Sequence, residues 1–517
     1  MFCDIENGMI TDGGGVNESG GRHMKRGFDN EKYIQKQTEE ILKRIAKFDN
    51  KLYLEFGGKL VDDYHAARVL PGFDVNAKVK LLHTLREKAE VIFTINAGDI
   101  ERKKMRADFG ITYDLDVLRL IDRLRAWEID VNSVVITQYT GQPSADIFHK
   151  RLERRGIKTY IHTLIKGYPT DMEMIVSENG YGANSYIQTQ KPLVIVTGPG
   201  PGSGKLATCL SQLYHEHKRG ARAGYAKFET FPIWNLPLKH PVNLAYEAAT
   251  ADLKDVNMID PFHFDAYGTT TVNYNRDIEM FPVIRNILAR ITENDYHYES
   301  PTDMGVNMAG YGITDDAVIK EAGRQEIIRR YYKVWCDYKQ GLVDIGVAQR
   351  VDMLMKELNL RPEDREVVTP ALTKAEKDSA QAMAMKLEDG SMVTGKASSL
   401  MNAPSSLVLN SIKVLSGIAD EIHLVSPIAL EPILELKEKV LGNKDSMLNL
   451  EEILIALSIS AATNPTAQMA MTKLASLKDC EAHSSAMLNQ ADEGVLRTLG
   501  VNLTCEPQYP SKDLYFI

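Results

Sequence analysis

Cysteine is scarce: Cys3, Cys209, Cys336, Cys480 and Cys505 are the five in 517 residues, odd in number and far apart. Such spacing excludes a disulfide framework and a CxxC zinc module, and predicts a reducing, cytoplasmic home. Long apolar runs are also missing. The longest, Ile453 to Ala462, is half of what a bilayer crossing needs, and Asn464 and Pro465 follow it at once, so no membrane is expected as a partner. Basic charge is not in excess either, with 61 Lys+Arg against 70 Asp+Glu and a net charge of −9. No global field would gather nucleic acid, which is excluded as a non-specific partner. HExxH, the GxSxG elbow and a strict GxGxxG are all absent, so zincin, serine-hydrolase and Rossmann dehydrogenase readings lack their signatures.

What remains is an ordinary globular composition, 44% hydrophobic and 25% charged, over a length that fits about three domains. Residues 1–23 hold six glycines among polar residues and no apolar run, and are expected to be a disordered tail. Asp29 or Asn30 can then cap a helix carrying Ile34, Ile41, Ile45 and Phe48 on one face. Short apolar runs at Leu52–Phe56, Val91–Ile95, Val134–Thr137, Thr159–His162, Leu193–Thr197 and Tyr225–Phe228 alternate with helical stretches, the rhythm of a layered α/β sheet. We assign residues 24–300 to an N-terminal α/β domain and 301–365, rich in Glu, Arg, Ile and Leu, to a helical connector. Residues 366–517 form a smaller C-terminal α/β domain, with apolar runs at Ile422–Val425 and Val501–Cys505. The fold class is multi-domain α/β. A homo-oligomer would fit so helical a connector.

Chemistry is written most clearly after Leu193–Thr197. This strand runs into Gly198-Pro199-Gly200-Pro201-Gly202-Ser203-Gly204-Lys205, and a helix follows with Leu206, Leu210 and Leu213 on one face. Strand, glycine loop, lysine, helix is the order of a phosphate loop, in which converging N–H groups at a helix N-terminus meet an anion and lysine adds a point charge. Gly200, Gly202, Ser203, Gly204 and Lys205 are the candidate phosphate-binding residues. Against GxxxxGK[ST] two of four fixed positions fail, because Pro199 replaces the first glycine and Leu206 the Mg²⁺-binding hydroxyl. Hydrolysis of a nucleotide therefore does not follow from the motif, and a plain Gly-Pro turn is its structural alternative.

Two other places hold candidate chemistry. Asp260 ends the run Val256–Asp260, where a second acid would hold Mg²⁺ beside a nucleotide, and His263 follows it closely; Asp-Pro is also a common turn opener. Cys480 and His483 place a thiol and an imidazole three residues apart, able to act together only if the backbone is not extended. Asp260, His263, Cys480 and His483 are the catalytic candidates, with Asp260 also the metal candidate. Two further Gly-Lys pairs are weaker: Gly57-Gly58-Lys59 follows a strand, whereas Asp389-Gly390 reads more simply as a hairpin turn.

Thr197 to Leu213, Tyr225 to Pro237, Leu54 to Lys59, Ile95 to Ile100 and Cys480 to Ser484 together resemble the domain-of-unknown-function 1846 family, also called uncharacterised protein family 0371. The resemblance runs from about Met24 to Cys505. It implies an α/β, helical, α/β architecture and a cytoplasmic protein of this length, and it implies no reaction. The departures of the glycine loop from the standard pattern belong, on this resemblance, to the family. The functional expectation is a protein binding a nucleotide or phosphorylated metabolite, with Mg²⁺ accompanying a nucleotide, and catalysing phosphoryl transfer or phosphate-ester chemistry. Its rival is a non-catalytic ligand-sensing or assembly protein in which the loop is structural.

Overall fold

The computed structural model describes residues 25–106, 110–294, 297–442 and 447–511, so the expectation for residues 1–23 lies outside the described residues. The chain divides into two compact units, one spanning Arg26–Arg365 and the other containing Glu366–Ile517.

The first unit is built on a seven-stranded, all-parallel sheet. Its spatial order is Gly305–Val306, Gly224–Phe228, Leu52–Phe56, Leu193–Thr197, Ala89–Asn96, Asp130–Tyr139 and Lys158–Thr163. The six apolar runs expected as strands all lie in it. Strands covered on both faces need continuous apolar sequence, and Leu193–Thr197 is buried at every position. The entering helix, Asn30–Ala46, is capped by Asp29, whose carboxylate accepts from the Lys32 N–H at 2.9 Å. Tyr33, Gln37, Ile41 and Ile45 form its buried stripe, at the four- and eight-residue spacing of one helix face. The helices Asp316–Lys339 and Ile345–Glu357 belong to this same unit.

Connectivity decides where a ligand could sit. From Leu52–Phe56 the chain crosses to Ala89–Asn96 on one side, whereas from Leu193–Thr197 it crosses to Gly224–Phe228 on the other. The first strand of each crossing is the other's neighbour, with Leu52 opposite Leu193. Loops leaving adjacent parallel strands in opposite directions open a crevice at their carboxyl ends. Both Gly-Lys segments of this unit, Gly57-Gly58-Lys59 and Gly198–Lys205, therefore border one switch point.

The C-terminal unit carries a four-stranded mixed sheet in the order Met392–Lys396, Ala382–Lys386, Glu481–Ser484, Asn502–Cys505. Gly390, with φ +86°, turns the hairpin between the first two. The Ile422–Val425 run is not a strand. His423 interrupts it, and only Leu424 and Val425 are buried, in the core beneath the helices of this unit.

Candidate functional site

Glycine is needed in the Gly198–Lys205 loop for reasons of space. A Cβ on Gly198 would lie 2.5 Å from the Thr94 carbonyl oxygen and 2.5 Å from Ser203 Oγ, and one on Gly200 would lie 2.5 Å from the Tyr113 hydroxyl oxygen. Gly202 and Gly204 have φ +75° and +89°, the left-handed region that favours glycine. Polar contacts then hold the loop from the neighbouring strands. Thr94 Oγ1 donates to Ser203 Oγ at 3.1 Å, Thr137 Oγ1 to the Ser203 carbonyl at 2.8 Å, and Asn96 Nδ2 to the Gly202 carbonyl at 3.3 Å.

Those contacts use carbonyls and hydroxyls and leave the amides unspent. Among the described residues nothing accepts a hydrogen bond from the backbone N–H of Gly202, Ser203, Gly204 or Lys205, and the first helical bond runs from Thr208 N to Gly204 O at 3.0 Å. The helix they begin, Lys205–Lys218, has fourteen residues and no side-chain N-cap. Its N-terminal end thus points free donors and the positive end of its dipole into the crevice. Lys205 folds back over the loop, its Nζ 3.3 Å from the Gly200 carbonyl and 3.4 Å from Ser203 Oγ. Burial pulls this ammonium below the ordinary lysine range, against the pull of the Glu55 carboxylate.

On the sheet face beneath this helix lies a charged cluster that the loop motif did not announce. Alternation puts Tyr53 and Glu55 on one face, and Tyr225, Lys227 and Glu229 on the same face of the neighbouring strand and its end. Tyr225 Oη donates to Glu55 Oε2 at 2.8 Å, and Tyr53 Oη to Glu216 Oε1 of the helix at 2.7 Å. Lys227 stands between two carboxylates, Glu229 at 2.8 Å and Asp277 in direct contact. Glu55 carried one sequence signal, a charge inside an otherwise apolar strand. Glu229 carried none, since Asp277 is 48 positions away and only the fold joins them.

The remaining candidates are dispersed. Asp260 is fully buried at the N-cap of the helix Pro261–Tyr267. Its Oδ1 accepts from the His263 N–H at 3.1 Å and its Oδ2 from Thr302 Oγ1 at 2.6 Å. His263 Nδ1 shares a hydrogen bond with Ser300 Oγ at 2.9 Å. In the C-terminal unit, Cys480 precedes the strand Glu481–Ser484, in which His483 lies, so their odd spacing sends the side chains to opposite faces. Cys480 packs into the apolar core and burial pushes its thiol up to about 11, the reverse of nucleophile activation. His483 is buried between Thr504 Oγ1 at 2.9 Å and Glu506 Oε1 at 3.2 Å. For Mg²⁺, position 206 offers leucine in place of a hydroxyl, and among the described residues no three His, Cys, Asp or Glu side chains gather as a metal-binding set.

Comparison with known proteins covers both units. Residues 26–359 match the model described as domain of unknown function DUF1846, N-terminal, and residues 363–515 match its C-terminal counterpart. A UPF0371 protein of Clostridium botulinum (strain ATCC 19397 / Type A) is 60% identical over 501 residues, covering 95% of this chain and 100% of that protein. A UPF0371 protein of Clostridium tetani (strain Massachusetts / E88) is 59% identical over the same span. The chain belongs to the DUF1846 (UPF0371) family.

Proposed function

We propose that the switch-point crevice binds a small phosphorylated ligand, a nucleotide or a phosphometabolite, with its phosphate on Gly200, Gly202, Ser203, Gly204 and Lys205. The observation that carries this reading is the row of unspent N–H groups from Gly202 to Lys205 at the start of a fourteen-residue helix, with the Lys205 ammonium folded over them. Their place at the carboxyl end of a central parallel strand, beside a second glycine loop, supports it. Leu206 separates this loop from nucleotide hydrolases that fix Mg²⁺ through a loop hydroxyl. In this protein Mg²⁺ would come with the nucleotide, held by its phosphates.

Thermal shift with inorganic pyrophosphate, ATP and a set of sugar phosphates tests the reading, because a ligand of the native state at 100 times its Kd adds about 2.7 kcal/mol of apparent stability. The expected result is a rise in Tm with at least one of them that Lys205→Ala removes. A Tm that none of them moves, or a rise that Lys205→Ala keeps in full, overturns it.

A further inference from the structure

Carbonyls and amides of the glycine loop turn to opposite sides. Thr137 Oγ1 and Asn96 Nδ2, at the ends of two strands, hold the Ser203 and Gly202 carbonyls. In a trans peptide the N–H points opposite to the C=O, so the Ser203 and Gly204 amides face away from those strand ends, toward the space an anion would fill. The flank of the loop is shaped by the end of Asp130–Tyr139. Ile136 pairs with Ile161, yet the next pairing is Tyr139 with Thr163, three residues along one strand against two along the other. The extra residue makes a bulge, and Gln138 within it holds φ +52°, a conformation open to glycine and rare for glutamine. A regular strand sends successive side chains to opposite faces. Here Thr137 and Gln138 both reach the loop's supports: Thr137 bonds the Ser203 carbonyl, and Gln138 bonds the Asn96 amide that also holds Gly202. Thr137 abuts Gly204, where a Cβ would meet it at 2.7 Å, so Gln138 is one residue away from contact with the start of the helix. Gln138 and Gly202 are both exposed.

Backbone atoms fix which way the Gln138 amide points. The Gly98 N–H donates to Asn96 Oδ1 at 2.7 Å, which identifies the other Asn96 atom as the donor Nδ2. That nitrogen gives one hydrogen to the Gly202 carbonyl at 3.3 Å and one to Gln138 at 3.1 Å, so the glutamine atom facing it is Oε1. Nε2 is left on the side away from Asn96, and among the described residues nothing accepts from its two N–H groups. We propose that Gln138 is the specificity-determining residue of the phosphate loop, its Nε2 donating to an uncharged oxygen or ring nitrogen in the part of the ligand next to the anchored phosphate.

This deepens the phosphate-binding reading and rests on it. A lysine or arginine on the flank would draw in a second phosphate by charge, whereas a neutral pair of donors distinguishes organic groups by whether they offer an acceptor. The ligand class is therefore an organic phosphate ester, a sugar phosphate or a nucleotide, in preference to inorganic phosphate or pyrophosphate. The bulge gives the residue its aim, since in a regular strand position 138 would turn away from the side Thr137 faces.

Calorimetric titration of the full chain with inorganic pyrophosphate, ATP and ribose 5-phosphate tests the proposal. Gln138→Ala and Gln138→Gly should weaken ATP or ribose 5-phosphate about tenfold, the worth of one or two neutral hydrogen bonds, and leave the Kd of pyrophosphate within about twofold. Glycine suits φ +52°, so the free Gln138→Gly protein should melt no lower than the wild type, which separates a lost contact from a damaged loop. Equal losses for pyrophosphate and the esters assign Gln138 to holding the loop and overturn the proposal, as does a Gln138→Gly protein that binds the esters as the wild type does. Pyrophosphate that binds while neither ester does overturns it and spares the anion site. Binding of none of the three overturns both.

Discussion

Thr137 occupies the space where a side chain on Gly204 would have to go. A Cβ at Gly204 would meet Thr137 Cγ2 and Oγ1 at 2.7 Å, while that same Oγ1 donates to the Ser203 carbonyl one residue earlier. The loop is therefore pinned from the strand Asp130–Tyr139, and its left-handed turn has no room to relax. Gly204→Ala is expected to cost about 2–4 kcal/mol, combining backbone strain with overpacking. Gly220, also left-handed at φ +81° but with nothing within 4 Å, supplies the comparison. Gly220→Ala should cost only about 1–2 kcal/mol. Urea denaturation of the two variants checks the difference, and equal losses would mean that Thr137 yields.

Glu326 is 1% exposed and sits among three guanidiniums and an imidazole. Arg68 Nε, Arg329 Nε and Arg330 Nε donate to it at 2.9, 2.8 and 3.0 Å, and His65 Nδ1 lies at 3.2 Å, tying the helix Tyr64–Val69 to Asp316–Lys339. Glu326→Gln removes the carboxylate charge that these guanidiniums share, and the expected loss is about 3–5 kcal/mol in denaturant titration. These cations overcome burial and hold the carboxyl well below the usual glutamate range. Its contribution to stability is thus complete above the unfolded glutamate pKa, about 4.3, and fades as the pH falls through the folded value.

His162 should make the same unit sensitive to milder acid. It is 3% exposed, its Nε2 meets the Ser185 carbonyl at 3.1 Å, and burial pulls its pKa down to about 4. Between about pH 6.5 and about pH 4 the unfolded chain takes a proton that the folded one refuses, so stability falls as the pH falls. The loss across that window should reach roughly 3 kcal/mol, and His162→Gln should flatten the Tm profile there. A variant with an unchanged slope would clear His162 of that role.

Cys480 donates weakly to the Ser476 carbonyl, with Sγ 3.6 Å away, from within the C-terminal core. With its thiol raised to about 11, alkylation at neutral pH should be slow in the folded protein and rapid in denaturant. Fast modification of the native protein, read by mass spectrometry, would restore Cys480 as a site.

The sheet was legible because its central strands are short and mostly apolar, and the glycine loop because its strand, lysine and helix are contiguous. Asp260 shows the limit of position as evidence. A carboxylate at the end of an apolar run fits a metal ligand, yet Asp-Pro also fits a helix N-cap, and here both carboxylate oxygens are bonded within the fold. Glu229 lay beyond sequence reasoning for the opposite reason. Nothing local marks it; the register of Glu55 opposite Lys227 and the approach of Asp277 from a later helix make its surroundings.

Insertion of Leu193–Thr197 between Leu52–Phe56 and Ala89–Asn96 fixes the order in which the crevice can arise during synthesis. Leu52 waits for a partner about 140 residues later in the chain, and Gly224–Phe228 must then pass to the far side of it. A sheet whose middle is threaded late has long loops to close before its best contacts form, which slows folding. A nascent chain stopped before residue 193 would expose two apolar strand edges with no neighbour between them, making that stretch of translation the one most exposed to aggregation.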